Sequence, residues 1–508
     1  MVIRLLSGGL EGVDAFPVEV EVDYVRQGLP GFTLVGLAEA AVREAKDRVF
    51  AALRAGNFRL PPARVTVNLA PAGRRKAGAS YDLPLAIGLL AAAGIIPTEK
   101  LDNCFFSGEL SLSGELKPVS GVLPLAILAR KKGADGLVVP PANAAEAAVV
   151  HDLKVYAPQN LAQCASFLAG ETRLPPIAHV RPENLPPPDY GLDFGDVKGQ
   201  QAAKRALEIA AAGGHNILMI GPPGSGKTML AQRLPTILPP LDFEEALEVT
   251  KIYSVAGLLP PDTGLLTTRP FRSPHHTISN VALVGGGSTP RPGEVSLAHR
   301  GVLFLDELPE YGKSVLEVLR QPLEDGSVSI ARVAQSVSYP AACMLVAAMN
   351  PCPCGYYGDA EHECVCRPDQ RARYRARISG PLLDRIDVHV EVPAVPYEDL
   401  RDAAGSGASA QLRARVLAAR LVQQKRYADK NIHCNAELYG ALLERHCALS
   451  PQGHQLLKTA VQRLGLSARA YTRVLRLART IADLAGVEAI SAEHLAEGIS
   501  LRVLDREG

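Results

Sequence analysis

The sequence predicts an α/β multidomain protein. Three observations carry that prediction. The stretches "HNILMIG" (215–221), "GVLFLDEL" (301–308) and "AACMLVAAMN" (341–350) are short and almost wholly apolar. Such runs suit strands buried on both faces, hence a parallel sheet covered by helices. The stretch "GPPGSGKT" (221–228) joins the first run to a helix-like segment from Lys227. From residue 410 the pattern is almost purely helical: "SARAYTRVLRLARTIADLAG" (467–486) repeats apolar residues at helical spacing and stops at glycine.

The 508 residues exceed what one core holds, so three or so domains are expected. Hydrophobic residues make up 47% and charged residues 21%, an ordinary balance for a soluble globular chain. The net charge of +1 excludes a global field for nucleic acid, so any such binding must use local patches. The opening "MVIRLLSGGLEG" lacks the basic and apolar regions of a signal peptide. The longest apolar run, 85–97, is too short and too rich in Gly and Ala to span a bilayer. The expectation is a cytoplasmic protein with no membrane partner and reduced thiols.

Domain boundaries follow from proline and glycine. In "RLPPIAHVRPENLPPPDYGLDFGD" (173–196), Pro175, Pro176, Pro182 and Pro186 to Pro188 rule out helix and central strand. A weaker boundary is "AVPYEDLRDAAGSGAS" (394–409). The expected organisation is an N-terminal unit over 1–170, a Pro-rich linker over 171–192, a P-loop unit over 193–394 and a helical unit over 395–508.

The segment Gly221, Pro222, Pro223, Gly224, Ser225, Gly226, Lys227, Thr228 matches G-x-x-x-x-G-K-[ST] between a strand and a helix. Its glycines let backbone N–H groups face phosphates. Lys227 reaches the outer oxygens of ATP, and Thr228 ligates Mg²⁺. Asp306 and Glu307 end an apolar strand, where adjacent carboxylates repel and need a reason. Asp306 holds Mg²⁺ and Glu307 polarises the attacking water as general base; the alternative is a solvated helix cap. Asn350, also at a strand end, sits where an amide could orient that water.

The P-loop, the DE pair, the strand-end Asn, "SGPLLDRID" (379–387) and "LSARAYTRVLRLAR" (466–479) stand in an order that resembles a magnesium-chelatase-type AAA+ ATPase. That resemblance implies a P-loop AAA+ α/β core, a C-terminal helical lid and a ring with one active site per subunit interface. It implies a finger arginine acting on the neighbour's nucleotide, at Arg385, and a sensor arginine in the lid, at Arg469, with Arg473 as runner-up. The bland readings are a local pair of Arg385 with Asp384 or Asp387, and a solvated helix face for Arg469.

Residues 1–170 resemble the Lon-protease-like (S5 domain 2-like) α+β domain that precedes the ATPase in the ComM/YifB branch. "FTLVGLAEAAVREAKDRVFAAL", "RVTVNLAPA", "AGASYDLPLAIGLL" and "FSGELSLSGELKPVSGVLPLAI" stand in matching order. The resemblance puts the serine nucleophile of a peptidase at Ser80 and its lysine at position 123, which is leucine; Lys117 lies elsewhere. A serine with no base is a poor nucleophile, so the domain is read as non-proteolytic.

Four of the nine cysteines, Cys352, Cys354, Cys364 and Cys366, fall in "NPCPCGYYGDAEHECVC" (350–366). Reduced thiolates so grouped suit tetrahedral zinc. A redox cluster and four unliganded thiols are the alternatives. The knuckle follows Asn350 and precedes the stretch leading to Arg385, so a metal staple there would stiffen the connection. Cys104, Cys164, Cys343, Cys434 and Cys447 are scattered and read as buried apolar side chains.

Two insertions are candidates for DNA contact: "ISNVALVGGGSTPRPGEVSLAHRG" (278–301) with Arg291, and "EDGSVSIARVAQSVSYPA" (324–341), a hairpin with Arg332 near its turn. In relatives such insertions point into the ring channel, where arginines track a phosphodiester backbone. The five arginines from Arg367 to Arg377 bind DNA, an acidic neighbour, or neither. His275 and His276 could be a metal pair, but adjacent residues on a strand face apart, so they read as hydrogen-bonded loop histidines. The family resemblance implies a homo-hexameric motor with ATP, Mg²⁺ and zinc, acting on single-stranded or branched DNA by branch migration during recombination and transformation. A magnesium-chelatase-type motor subunit and a Lon-like peptidase are the alternatives.

Overall fold

The computed structural model describes residues 2–502 and 504, other than 28, 38, 100, 180–187, 189, 288, 289, 333, 334, 360, 397–406 and 431; at 40, 41, 331, 332 and 335 the backbone alone is described. The chain is mixed α/β and divides into two compact units.

The first unit comprises Met1–Pro187, Asp242–Thr267 and Ser329–Tyr339. Its seven-stranded sheet runs in the order Gly31–Val35, Arg64–Ala70, Asp14–Val25, Val2–Glu11, Cys104–Phe106, Gly136–Val138, Lys154–Tyr156. The first two long strands form an antiparallel hairpin from Val2↔Asp23 to Glu11↔Asp14. Alternate residues such as Ile3, Leu5, Val18, Val20 and Val22 face inward, the period-2 pattern of a half-buried strand. Most of the apolar run at 85–97 lies in the helix Asp82–Ala92, buried from Asp82 to Ala91. Asp82 is accommodated in that core by Arg48, which grips both its oxygens at 2.6 and 2.9 Å, and by Leu110 N–H, which donates to Oδ2 at 3.3 Å.

The sequence reading puts residues 242–267 and 329–339 in the P-loop stretch, yet both fold into the first unit. The helix Phe243–Ala256 is well signalled locally. Asp242 caps its N-terminus through Glu245 N–H at 2.8 Å, and Gly257 closes it with φ of 70°. Polar groups fix its place. Ser254 Oγ donates to the buried Glu146 at 2.7 Å, Gly121 N–H donates to the Ser254 carbonyl at 2.9 Å, and Lys251 pairs with Asp14 at 2.6 Å.

The second unit comprises Pro188–Leu241, Thr268–Val328 and Pro340–Gly508. Its main sheet has five strands, all parallel, in the order Phe271–Arg272, Val302–Leu305, Met344–Met349, Ile217–Ile220, Val388–Glu391. The three central strands are buried, as their apolar runs require. Their carboxyl ends deliver Gly221, Asp306 and Asn350 to one edge, where open α/β sheets place ligands. From Ala408 the chain is helical: Ala408–Arg426, Gly440–His446, Pro451–Leu464, Ala468–Leu484 and Ala492–Ser500. Ser450, Ser467 and Ser491 each cap the helix that follows. Val474, Ala478 and Ala482 of the Ala468–Leu484 helix pack into the C-terminal core, while Leu477 and Ile481 pack against the sheet's core. Among the described residues no helix is long and apolar enough to cross a membrane.

Candidate functional site

The strand Ile217–Ile220 ends in the Gly-rich turn, and the helix Lys227–Arg233 begins directly after it. Gly224 and Gly226 have φ of 77° and 91°, the left-handed region that side chains avoid. Gly221 cannot carry a side chain either, because a Cβ there would lie 2.0 Å from the Val392 carbonyl. Lys227 folds back over the loop. Its Nζ donates to the carbonyls of Gly221 and Pro222 at 2.8 Å and lies 3.4 Å from Asn350 Oδ1. Burial pulls the ammonium's pKa down, and the nearby Asp306 and Glu307 charges pull it back up. Gln200, which sequence reasoning missed, braces the loop by donating to the Ser225 carbonyl at 3.1 Å and to the Pro393 carbonyl at 2.6 Å.

Thr228 Oγ1 donates to Asp306 Oδ2 at 2.8 Å. Adjacent corners of an Mg²⁺ octahedron with bonds of about 2.1 Å lie about 3 Å apart, so these two oxygens fit one hard cation. Asp306 Oδ1 accepts the Glu307 N–H at 3.0 Å. That bond accompanies a left-handed backbone at Glu307, φ 52°, and the Glu307 carboxylate is half-exposed. Its Oε2 lies 3.5 Å from His276 Nδ1. His275 and His276 are loop residues, as expected. Off any strand, the two rings lie side by side, their centroids 4.1 Å from each other. His275 pairs with Thr277 Oγ1 at 2.9 Å.

Arg385 stands in a second cluster. It pairs with Glu324 rather than with either flanking aspartate, and its Nε is buried with no hydrogen-bond partner. Asp384 instead takes Arg469 at 2.8 Å, and Asp387 takes Arg473 at 2.5 Å. Burial, then the charges of Arg320, Arg469 and Arg473, push the Arg385 guanidinium below its usual range. Glu324 lies too far away in sequence for spacing to reveal it.

Cys352, Cys354, Cys364 and Cys366 bring their sulfurs within 4.8 Å of one another. Cys352 lies 3.3 Å from Cys354 and 3.7 Å from Cys364, and Cys354 lies 3.7 Å from Cys364. Zinc–sulfur bonds of about 2.3 Å need sulfurs about 3.8 Å apart, so the donor set fits zinc with little movement. The Tyr356 backbone N–H draws the Cys354 thiol down to about 6, against the opposing effect of burial. Of the scattered cysteines, Cys104, Cys164, Cys434 and Cys447 are buried, and Cys343 is half-buried.

Arg291 is exposed on the strand Arg291–Pro292, opposite Gly286. The hairpin at 327–340 forms as expected, with Arg332 ending the strand Ser327–Arg332. The Arg332 side chain lies outside the described residues. In the arginine run, Arg371 lies over the Tyr357 ring at 3.9 Å, Arg373 pairs with Asp369, and Arg377 pairs with Glu310. In the first unit Ser80 is half-buried, Leu123 is fully buried, and Lys117 is spent on Glu115 at 2.8 Å. Lys76, fully buried, donates to the Pro71 carbonyl.

Three family models match stretches of the chain. That of the magnesium chelatase subunit ChlI matches residues 193–400, a further ChlI-subunit model matches 18–143, and the ChlI C-terminal model matches 406–502. Together with the parallel sheet and its Gly-rich turn, these define a magnesium-chelatase-like AAA+ protein. Competence protein ComM of Haemophilus influenzae is 46% identical over 97% of this chain and 96% of its own. The uncharacterized protein YifB of Salmonella typhimurium is 44% identical over 97% and 96%. The chain belongs to the ComM/YifB family. The magnesium-chelatase 38 kDa subunit of Rhodobacter capsulatus is 25% identical over 59% of this chain and 84% of its own.

Proposed function

We propose that the protein is a cytoplasmic AAA+ ATPase that forms a homo-hexameric ring and couples ATP hydrolysis to movement on DNA, driving branch migration during recombination or transformation. The observation that carries this reading is the meeting of Lys227, Thr228, Asp306 and Asn350 at the carboxyl edge of one parallel sheet, with Glu307 beside them. Backbone N–H groups of residues 221–228 bind the phosphates, and Lys227 exchanges its loop carbonyls for phosphate oxygens. Thr228 and Asp306 would hold Mg²⁺, which neutralises developing charge on the phosphates when bound. Glu307 takes a proton from the attacking water, and Asn350 orients that water. Arg385 completes the pocket of the neighbouring protomer, and Arg469 senses nucleotide from the lid.

Cys352, Cys354, Cys364 and Cys366 would hold zinc, which supplies the stiffness a small loop lacks. The N-terminal unit is a Lon-protease-like scaffold without peptidase activity, a reading supported by Leu123 and by Lys117's engagement with Glu115. Arg291 and Arg332 track DNA phosphates. Competence is named for the Haemophilus relative, which supports DNA over a porphyrin as the substrate. The test is a labelled three-strand or four-way junction incubated with protein, ATP and Mg²⁺, with Lys227→Ala as control. Product strands that depend on ATP and on Lys227 are expected. Vigorous ATP turnover with no DNA stimulation and no strand movement would overturn the DNA reading.

A further inference from the structure

Asp384 and Asp387 flank Arg385, and each accepts one arginine of the Ala468–Leu484 helix. Arg469 and Arg473 are four residues apart, so one face of that helix carries both guanidiniums. The two pairs differ in their surroundings. Asp387 is buried. Its Oδ1 accepts from Arg473 at 2.5 Å, and its Oδ2 faces His215 Nδ1 at 3.0 Å. His215 Nε2 in turn faces Thr480 Oγ1, further along the same helix, at 2.8 Å. Opening such a pair leaves an uncompensated buried charge, so this joint stays closed. The Arg469–Asp384 pair, by contrast, has side chains 66% and 36% exposed. Pairs of that kind open at little cost.

We propose that Asp387–Arg473 is a fixed pivot and Asp384–Arg469 an openable clasp, so that a nucleotide phosphate that draws Arg469 away frees the Asp384–Arg385 turn from the helix. This rests on the reading of Arg469 as a nucleotide sensor and deepens it. Asp384 becomes a positioning residue for Arg385 and a competitor of phosphate for one guanidinium. Through the clasp, nucleotide held by one protomer alters how Arg385 is presented to the next. Because clasp and phosphate compete for one guanidinium, whatever weakens the clasp strengthens nucleotide binding, by at most the same factor.

The test is equilibrium binding of a slowly hydrolysed ATP analogue with Mg²⁺ to the full chain. Wild type, Asp384→Asn, Arg469→Gln and the double variant are compared. Asp384→Asn is expected to bind about twofold to fivefold more tightly than wild type, the range an exposed ion pair allows. In the Arg469→Gln background the gain disappears. Structural damage does not tighten binding, so the direction separates the clasp from a packing role. Asp387→Asn serves as the contrast: it lowers the melting temperature without tightening nucleotide. Unchanged or weaker binding by Asp384→Asn overturns the proposal, as does an equal gain in both backgrounds. Wild type that binds no analogue, or binds it no better than Lys227→Ala, overturns the nucleotide site itself and is recognised before any clasp variant is compared.

Discussion

Replacing Cys364 by serine takes one corner from the four-sulfur cluster that closes residues 350–366. The geometry sets what is lost. Cys352, Cys354 and Cys364 have sulfur separations of 3.3 to 3.7 Å, close to the spacing of about 3.8 Å that zinc–thiolate bonds of about 2.3 Å require, and Cys366 lies within 4.8 Å of all three. What else holds the loop is weaker: Asp359 accepts the Glu361 and His362 N–H groups, Tyr356 stacks on His362, and Arg371 lies over Tyr357. Cys352 is buried, but Val365 is 82% exposed and Tyr357 is 38% exposed. Burying one apolar side chain contributes about 1.5 to 3 kcal/mol. A structural zinc in a small domain contributes about 10 to 16 kcal/mol at neutral pH. The metal therefore dominates, and Cys364→Ser is expected to unfold the knuckle while the parallel sheet survives. Elemental analysis of wild type should give one zinc per chain, with little in the variant. Trypsin should then cut within 367–377, where five arginines follow the knuckle, much faster in the variant. Far-UV circular dichroism should change little. Zinc-free wild type, or a variant with unaltered trypsin resistance, would refute the argument.

Lys227→Ala is expected to lower ATP turnover by about 10²- to 10³-fold, read by phosphate release, since it removes the cation aimed at the developing charge. Glu307→Gln should keep ATP affinity yet lose about 10²- to 10⁴-fold in turnover, the span of general-base catalysis; full activity would remove Glu307 from that role. Arg385→Ala should lose about 10³- to 10⁵-fold. Mixing it with Lys227→Ala protomers should recover a fraction of activity, because some interfaces then combine an intact loop with an intact arginine. No recovery at any ratio would count against a shared site. Asp387→Asn should destabilise the second unit by about 3 to 5 kcal/mol in thermal or urea unfolding. Burial pushes the Asp387 carboxyl up, but the His215 hydrogen bond and the His215, Arg473 and Arg476 charges outweigh it and hold the group at about 2. A carboxyl held below its unfolded value of about 3.9 adds stability above that pH and loses it as pH falls toward 2, so the variant should show a flatter acid limb.

The strands of the second unit were legible because burial on both faces leaves nothing but apolar side chains between Ile217 and Ile220 or Met344 and Met349. The nucleotide-facing residues were legible for the opposite reason. Asp306 and Asn350 break their apolar runs abruptly at the strand ends, and the third run gives way to a Gly-rich turn that leads to Lys227. What stayed hidden depends on which loops meet. Nothing local to Arg385 points to Glu324, and nothing local to Glu307 points to His276. His215 left a faint signal, a histidine directly before an apolar strand. Its partners Asp387 and Thr480 come from distant segments. The helix Phe243–Ala256 was readable as a helix from its Asp242 cap and Gly257 stop, but its allegiance to the first unit rests on Glu146, Gly121 and Asp14.

That divided allegiance bears on how the polypeptide matures. The first unit draws its last strand pair from residues up to Tyr339, long after Pro187 has left the ribosome. At ordinary synthesis rates the delay is about ten to thirty seconds. In its first part the buried carboxyl of Glu146 lacks the Ser254 hydroxyl, and Asp14 lacks its lysine. Synthesis and folding are therefore out of step in this chain: the unit begun first is whole only after much of the second has already been made.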